Sequence, residues 1–194
     1  MYHISDDKRA RQSADLIWNG LVDCMNQKEF AEITVTDLQK ASGVARTTFY
    51  RSFDNISDVL YWKCDTCFQS ALEGCTPTMF LNEIDLARHY FKYWMEHSEI
   101  LEWLIKINRQ DIIYACHMKN ADQLQRKFGS PQGFGIQHGD YFMAIRTGFT
   151  ISILTVWVKN GRKETPEEIA EIIKEQVMII ANNSNIGNET YPKP

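Results

Sequence analysis

The segment TVTDLQKASGVARTTFYRSF, residues 34–53, concentrates side chains that can donate hydrogen bonds to an anion. No acidic residue follows Asp37 within it. Guanidinium groups bind phosphates and guanine edges, and hydroxyl groups bind phosphates. A carboxylate on the same face would repel phosphates, so this composition favours a nucleic-acid surface. Its donors fall within six positions: Arg46, Thr47, Thr48, Tyr50 and Arg51.

The chain around this segment is mildly acidic. Its 194 residues carry a formal net charge of -4, so we do not expect it to bind polyanions over its whole surface. Any affinity for nucleic acid must be local. With 44% hydrophobic residues the chain has ordinary globular composition, enough for one core or for a small domain joined to a larger one.

Two short helices are predicted to position these donors. Thr34 is a suitable N-cap, and Asp37 three residues later completes a capping box. Gly43 can take the left-handed conformation that ends the first helix. In the second helix Phe49 and Phe53, four residues apart, face inward. Two short helices joined at a glycine predict a helix-turn-helix, whose second helix enters the DNA major groove. Similar turns also occur in helical bundles that bind no DNA, and that alternative stays open.

The remainder of the chain is also predicted to be helical. Apolar residues recur at steps of three and four, and no segment has the two-residue period of a strand. Thr165, Pro166 and Glu168 form a second capping box with proline at the first helical position. We therefore predict an all-α fold of about nine helices. Besides the two helices of residues 34–53, they cover residues 6–27, 56–72, 83–97, 99–108, 111–128, 141–160 and 165–182.

Residues 30–60, FAEITVTDLQKASGVARTTFYRSFDNISDVL, resemble the N-terminal DNA-binding domain of the TetR/AcrR family of transcriptional regulators. The resemblance rests on Ile-Thr-Val at the cap, Ala-x-Gly-Val at the turn, Thr-Phe-Tyr-x-x-Phe in the recognition helix and Asp-Val-Leu in the next helix. It implies a helix-turn-helix unit that binds double-stranded DNA. The DNA-binding residues that we predict are Thr34, Thr36, Arg46, Thr47, Thr48, Tyr50 and Arg51.

Three positions depart from the family pattern. Ala45 stands where a capping Ser or Thr is usual, and loss of such a cap costs about 1 kcal/mol. Ile56 replaces a common lysine, and Ser52 stands where histidine is frequent. These departures favour a second hypothesis, a helical adaptor or co-regulator whose helix-turn-helix no longer binds DNA.

The family resemblance implies a two-part chain. Residues 1–55 would form the DNA-binding domain, 56–74 a connecting helix, 75–182 an effector-binding and dimerisation domain, and 183–194 a disordered tail. Glycine and proline at 73–78 predict a hinge, and 129–139 a long loop. Aromatic residues with polar tips suit a small-molecule pocket, although any of them can equally be core. The candidates for an unidentified effector are Tyr90, Trp94, Trp103 and Tyr114.

Residues 141–160 are apolar on nearly every side. Polar residues such as Arg146 and Thr147 interrupt them, so we do not expect a membrane span. A helix that is apolar all round must be buried on two sides. A second copy of the chain is the simplest partner for the second side, and the alternative is a helix buried wholly within a monomer. Residues 148–173 resemble the C-terminal region of one branch of the TetR/AcrR family, which includes regulators of dihydroxyacetone metabolism. The predicted homodimer face comprises Phe149, Ile153, Trp157, Ile172, Gln176 and Ile179.

The cysteines give no sign of a disulfide framework or of a metal site. They are five in number and irregularly spaced, which indicates reduced thiols in a cytoplasmic protein. Cys64 and Cys67 form a CxxC pair without the second pair that a zinc site needs. We find no catalytic constellation and expect no enzyme activity and no cofactor. The resemblance to the TetR/AcrR family implies a ligand-responsive repressor that reads a palindromic operator as a homodimer.

Overall fold

The computed structural model describes residues 1–5, 7–73, 83–120 and 139–186. Within these ranges the fold is all-α, which confirms the predicted fold class. Residues 74–82, 121–138 and 187–194, with most of the predicted hinge, loop and tail, lie outside the described residues. A short 3-10 helix, Phe30–Glu32, precedes the second α-helix. The α-helices are α1 (Lys8–Met25), α2 (Val35–Ser42), α3 (Arg46–Ser52), α4 (Ile56–Leu72), α5 (Glu83–Glu96), α6 (Glu99–Lys106), α7 (Gln110–Lys119), α8 (Gly139–Lys159) and α9 (Pro166–Ile186).

Polar side chains fix several of the helix starts. Asp7 accepts a hydrogen bond from the Arg9 amide at 3.1 Å and caps α1. Asn55 and Asp58 form a capping box at α4. The backbone amide of Thr165 donates to Glu168 at 2.8 Å, so the capping box predicted at α9 is present. These caps satisfy amides that a helix leaves without an internal partner.

Two predicted helix ends were wrong. α7 ends at Lys119 with Asn120 as its C-cap, whereas we predicted a helix over residues 111–128. The helix that we expected to end at residue 182 continues to Ile186, four residues into the predicted disordered tail. Asparagine-rich composition lowers helix propensity by only a few tenths of a kcal/mol per residue, which is too little to end a helix that has already formed.

The N-terminal helices pack around α1. Its inner face buries Ala14, Ile17, Trp18 and Leu21 completely or nearly so, and α2, α3 and α4 all contact it. Phe53, also fully buried, lies edge-on to Trp62 of α4, with ring centroids 6.1 Å apart. The helix-turn-helix is therefore joined to α4 through an aromatic contact.

The rest of the core forms where α4 meets the later helices. α4 contacts α5, α6 and α7; α8 covers α5, α6 and α7; and α9 lies against α5. Because α4 contacts both α1 and α7, it connects the helix-turn-helix to the remaining helices. None of the helices in the described ranges is long and apolar enough to cross a membrane. The largest fully buried side chains here are Phe68, Trp94, Ile100, Leu101, Leu104 and Ile112.

The apolar surface of α8 is rotated by about one residue from the predicted position. Trp157 is only 5% exposed, and its indole donates to the carbonyl of Glu164 at 3.0 Å. Ile153 is half-buried and packs against the core. Trp157 therefore belongs to the inner side of α8, and the prediction that it forms part of the outer face is corrected, whereas Ile153 stays a partly exposed candidate. Ile145, Phe149 and Val156 are among the large apolar residues of α8 that face outward.

Gly20 permits an unusually close approach of α1 and α2. A Cβ atom at this position would lie 2.8 Å from the backbone nitrogen of Ser42 and 2.9 Å from its Cβ. Backbone atoms cannot turn away as a flexible side chain can, so any larger residue must push the two helices apart.

We expect Gly20→Ala to lower the free energy of unfolding by about 1–3 kcal/mol, the usual effect of overpacking. Urea denaturation followed by circular dichroism measures it. Asn19→Ala, an exposed change on the same helix, is the control and should stabilise by about 0.5 kcal/mol through helix propensity. A Gly20→Ala variant as stable as the wild type would show that α1 and α2 do not approach so closely.

Candidate nucleic-acid interface

The turn between α2 and α3 is short and is held by hydrogen bonds. Gly43 has φ +69°, a left-handed conformation that side chains disfavour, and its amide donates to the carbonyl of Gln39 at 3.0 Å. The Ser42 hydroxyl donates to the Leu38 carbonyl at 2.6 Å and accepts from the Val44 amide at 3.2 Å. These bonds set the direction in which α3 leaves the turn.

The start of α2 is fixed by the predicted capping box. The Asp37 amide donates to the Thr34 hydroxyl at 3.2 Å, and the Thr34 amide donates to the Asp37 carboxylate at 2.8 Å. Lys28 adds an ion pair, with its Nζ 2.6 Å from Asp37 Oδ2. The hydrogen bond from Lys28, followed by those from Thr34, lowers the pKa of Asp37 well below its usual value. The one acidic residue of the helix-turn-helix segment is therefore neutralised locally.

α3 has one buried side and one exposed side. Phe49 and Ser52 are buried, whereas Thr48 is half-buried. The exposed side chains occupy two adjacent rows of the helix, which form one surface. No acidic residue lies in α3. The members of this surface, which we call the α3 face, are Arg46, Thr47, Tyr50 and Arg51.

Thr34 and Thr36, the two predicted DNA-binding residues outside α3, are also exposed at the start of α2. Six of the seven predicted side chains are thus accessible, and Thr48 is partly so. The contacts of these seven side chains with DNA stay a prediction.

Arg46 and Tyr50 lie against each other on the α3 face. The Arg46 Nη2 is 3.4 Å from the Tyr50 hydroxyl, and the guanidinium carbon is 5.5 Å from the ring centroid. The aromatic ring of Tyr50 meets that of Phe49 edge-on at 5.3 Å. The buried Phe49 ring thereby supports the exposed Tyr50 ring, and Tyr50 limits the conformations that the Arg46 side chain can take.

The three departures from the family pattern have distinct structural positions. Ala45 is the N-cap of α3 and makes no side-chain capping bond. Ser52 is buried, and its carbonyl accepts from the His3 amide at 2.8 Å. Ile56 is half-buried against the core at the first position of α4. The exposed α3 face therefore includes neither Ser52 nor Ile56.

The predicted effector residues separate into two groups. Tyr90 and Trp94 are buried on α5, with ring centroids 6.0 Å apart. Trp103 is half-buried on α6 beneath the Lys106 ammonium group, which is 4.4 Å from its ring centroid. Tyr114 is exposed on the outer side of α7. The structure thus brings only Tyr90 and Trp94 together among these four.

Tyr90 belongs to a buried polar cluster that the sequence did not reveal. Its hydroxyl is hydrogen-bonded to His117 Nε2, and His117 Nδ1 is 3.3 Å from the Thr147 hydroxyl oxygen. Burial raises the pKa of Tyr90 well above its ordinary value, so the phenol stays neutral. The Thr147 hydroxyl donates to the Met118 sulfur at 3.9 Å, which leaves its oxygen to accept from His117. One sequence signal existed, because Thr147 interrupts an otherwise apolar helix.

The CxxC pair is divided between two environments. Cys64 is fully buried and lies beside Cys116 of α7, whose thiol donates to the Tyr61 carbonyl at 3.7 Å. The contact with Cys116 and burial raise the pKa of Cys64, whereas Cys67 is only half-buried. Among the described residues, no three histidine, cysteine or acidic side chains are grouped so that they could hold a metal ion.

Comparisons with known proteins agree with this architecture. A TetR-type family model, described as "Transcriptional regulator C-terminal region", matches residues 82–178. The crystal structure of Lin0861 from Listeria innocua superposes with a TM-score of 0.73. The alignment covers 92% of this chain and 96% of that one, at 15% identity, so it shows a shared fold. No curated protein matches the sequence significantly.

We expect Asp37→Asn to destabilise the protein at pH 6 and to have a smaller effect at pH 3. The native pKa of Asp37 lies below the ordinary value of 3.8. Its stabilisation is therefore fully present above that value and is lost as the pH falls through the native pKa. Urea denaturation of both proteins at the two pH values measures the difference.

Asp15→Asn, an exposed change on α1, is the control for this titration. If the difference between Asp37→Asn and wild type were the same at both pH values, the capping box would not depend on the charge of Asp37.

Proposed function

The chain belongs to the TetR family of transcriptional regulators, and from this premise we propose that it is a ligand-responsive repressor. It reads a palindromic operator in double-stranded DNA as a homodimer. Residues 1–55 form the DNA-binding domain, 56–74 connect it, and 75–182 bind the effector and the second subunit. The observation that carries this proposal is the α3 face, exposed, basic and free of acidic residues.

Within the α3 face the side chains have separate roles. Arg46 stands at the first position of α3, where a recognition helix approaches base edges. Its guanidinium group can bind a guanine edge through two hydrogen bonds. Tyr50 and Arg51 lie one turn further along and contact phosphates, as do the hydroxyls of Thr47 and Thr48. Thr34 and Thr36 reach the phosphates on the other side of the groove.

The outer surface of α8 and α9 supports a two-fold dimer. Ile145 is 72% exposed and Val156 56%, and Phe149 lies between them on the same side of α8. Apolar side chains of this size in a contiguous row mark an interface. α9 adds Ile172, Gln176 and Ile179, which are also exposed. In the homodimer these residues meet their own copies, and the two α3 faces read half-sites about 34–36 Å apart or a multiple of that distance.

The effector binds beside α5 and α7, where Tyr90 and Trp94 supply aromatic surface and His117 supplies a polar contact. Trp103 and Tyr114 remain candidates for the solvent-facing side of that site, where the effector would enter. Binding shifts the equilibrium between two arrangements of the α3 faces, so DNA affinity falls by the ratio of the effector affinities for the two arrangements.

A second candidate function is a cytoplasmic helical adaptor or co-regulator that does not bind DNA. The absence of a capping side chain at Ala45 and the apolar Ile56 at the start of α4 favour it.

We expect Arg46→Ala to weaken binding to the selected operator by about ten- to hundredfold, the usual loss for one bidentate base contact. The operator is obtained by selecting wild-type-bound fragments from a random DNA pool at moderate salt, and affinity is measured by fluorescence anisotropy. The melting temperature should not change, because Arg46 is exposed.

Lys92→Ala on α5 removes the same charge from an exposed position and is the matched control. It should leave DNA affinity unchanged. If the wild type selected no palindrome, or if Arg46→Ala bound the operator as tightly as wild type, the recognition helix would be assigned wrongly and the adaptor hypothesis would stand.

We expect Ile145→Glu to convert the dimer to a monomer of 22.6 kDa. A glutamate in the interface would lie close to its own copy and would lose its hydration without an ion partner. Analytical ultracentrifugation measures the mass. Leu16→Glu, at an exposed apolar position of α1, is the control and should remain dimeric. A monomeric wild type, or a dimeric Ile145→Glu variant, would exclude the α8 surface as the interface.

A further inference from the structure

Residues 1–5, which we call the N-terminal strap, lie against the end of α3. The His3 amide donates to the carbonyl of Ser52 at 2.8 Å, and Tyr2 forms an isolated antiparallel bridge with Phe53. Ser52 is the last residue of α3, and Phe53 is its C-cap. The backbone of the strap is therefore attached to the segment that carries the recognition surface.

The side chain of Tyr2 extends from the strap to two other helices. Its hydroxyl donates to the carboxylate of Asp65 on α4. The Nζ of Lys119, the last residue of α7, is 3.0 Å from the same hydroxyl oxygen and 2.9 Å from Asp65 Oδ2. The ammonium group also lies 4.9 Å from the Tyr2 ring centroid. A single tyrosine thus joins the strap to α4 and to α7.

Asp65 is the common anchor of these contacts. It is only 6% exposed, and its second oxygen accepts from the Asn120 amide group at 2.7 Å. Asn120 also donates to the carbonyl of Cys116 at 2.8 Å and accepts from Gln69. A buried carboxylate is tolerated when its hydrogen-bonding capacity is used in this way. The burial of Asp65 therefore depends on hydrogen bonds from Tyr2 of the strap together with those from Lys119 and Asn120 at the end of α7.

Lys119 and Tyr2 keep their protonation states across the physiological pH range, because the pKa of each is raised. Burial by itself would lower the pKa of Lys119, but its hydrogen bonds to Tyr2 and Asp65 outweigh burial and raise that pKa above its usual value. Burial, and then the contact with Asp65, raises the pKa of Tyr2. The phenol therefore stays neutral while the lysine stays charged.

The strap is hydrogen-bonded both to the end of α3 and to the end of α7. If α7 moves relative to the end of α3, the bond between Ser52 and His3 and the bonds of Tyr2 with Lys119 cannot all be kept. We propose that the N-terminal strap couples the position of α7 to the orientation of α3, so that a change at one is transmitted to the other. This inference rests on the proposed DNA binding and adds a route for regulation to it.

Reciprocity supplies a test that needs no effector. If α7 influences α3, then DNA bound at α3 must alter α7 by the same coupling free energy. The probe is the operator selected by the wild-type chain, and the readout is amide hydrogen–deuterium exchange with and without that DNA. All proteins keep residues 1–5 unchanged and carry any purification tag at the C-terminus.

In the wild type we expect DNA to slow exchange at residues 46–52 and to change it by about fivefold or more at residues 110–119. Tyr2→Phe removes the hydroxyl but keeps the ring. It should retain the DNA effect at 46–52 and lose the effect at 110–119. Tyr93→Phe, the same chemical change at a position of α5 that is half-buried as Tyr2 is, is the matched control and should behave as the wild type does.

Lys119→Met removes the same contact from the α7 side and should also lose the DNA effect at 110–119. The double variant Tyr2→Phe/Lys119→Met should lose no more of that effect than either single variant, because both changes break one contact. A role limited to stability would lower the melting temperature of Tyr2→Phe and leave the DNA effect at 110–119 intact, which would overturn the proposal. A wild type that binds DNA without any change at 110–119 would also overturn it. If no DNA were selected at all, the proposed function itself would fail.

Discussion

The position of α3 depends on two buried phenylalanine rings. A seven-residue helix without a capping side chain has too few internal hydrogen bonds to be stable alone. Phe49 and Phe53 lie against each other, with ring centroids 5.6 Å apart, and Phe53 continues to Trp62. Burial of each such ring contributes about 1.5–3 kcal/mol, more than the roughly 1 kcal/mol that a cap at Ala45 would add. Packing therefore compensates for the missing cap, and the opposite side of α3 is free to carry polar residues.

Two polar clusters are placed where helices from different parts of the chain meet. One is centred on Asp65 between α4 and α7, and the other joins Tyr90, His117 and Thr147 of α5, α7 and α8. Apolar packing tolerates small rotations of a helix, whereas a hydrogen bond weakens steeply when its geometry changes. These clusters therefore fix the relative positions of the helices more narrowly than the surrounding apolar contacts do, and α7 takes part in both.

Local signals in the sequence predicted much of the helix-turn-helix. The caps at Thr34 and Thr165 and the left-handed Gly43 depend on residues within a few positions of one another, so a single chain reveals them. The same is true of the spacing of Phe49 and Phe53. The rotation of α8 could not be predicted in this way, because a helix that is apolar all round has no periodic signal to distinguish Trp157 from Val156. The contacts of Tyr2 with Asp65 and Lys119 join residues far apart in sequence, and no local pattern indicates them.

The length of α4 has a geometrical consequence. Its 17 residues span about 25 Å at 1.5 Å per residue, and it contacts α7 as well as α1. A tilt of about 5° about one end would displace the other end by roughly 2 Å, a large part of the 3.4 Å that separates successive base pairs. A rearrangement at one end of α4 no larger than a change of side-chain rotamer can thus move its other end by a distance comparable to the spacing of base pairs.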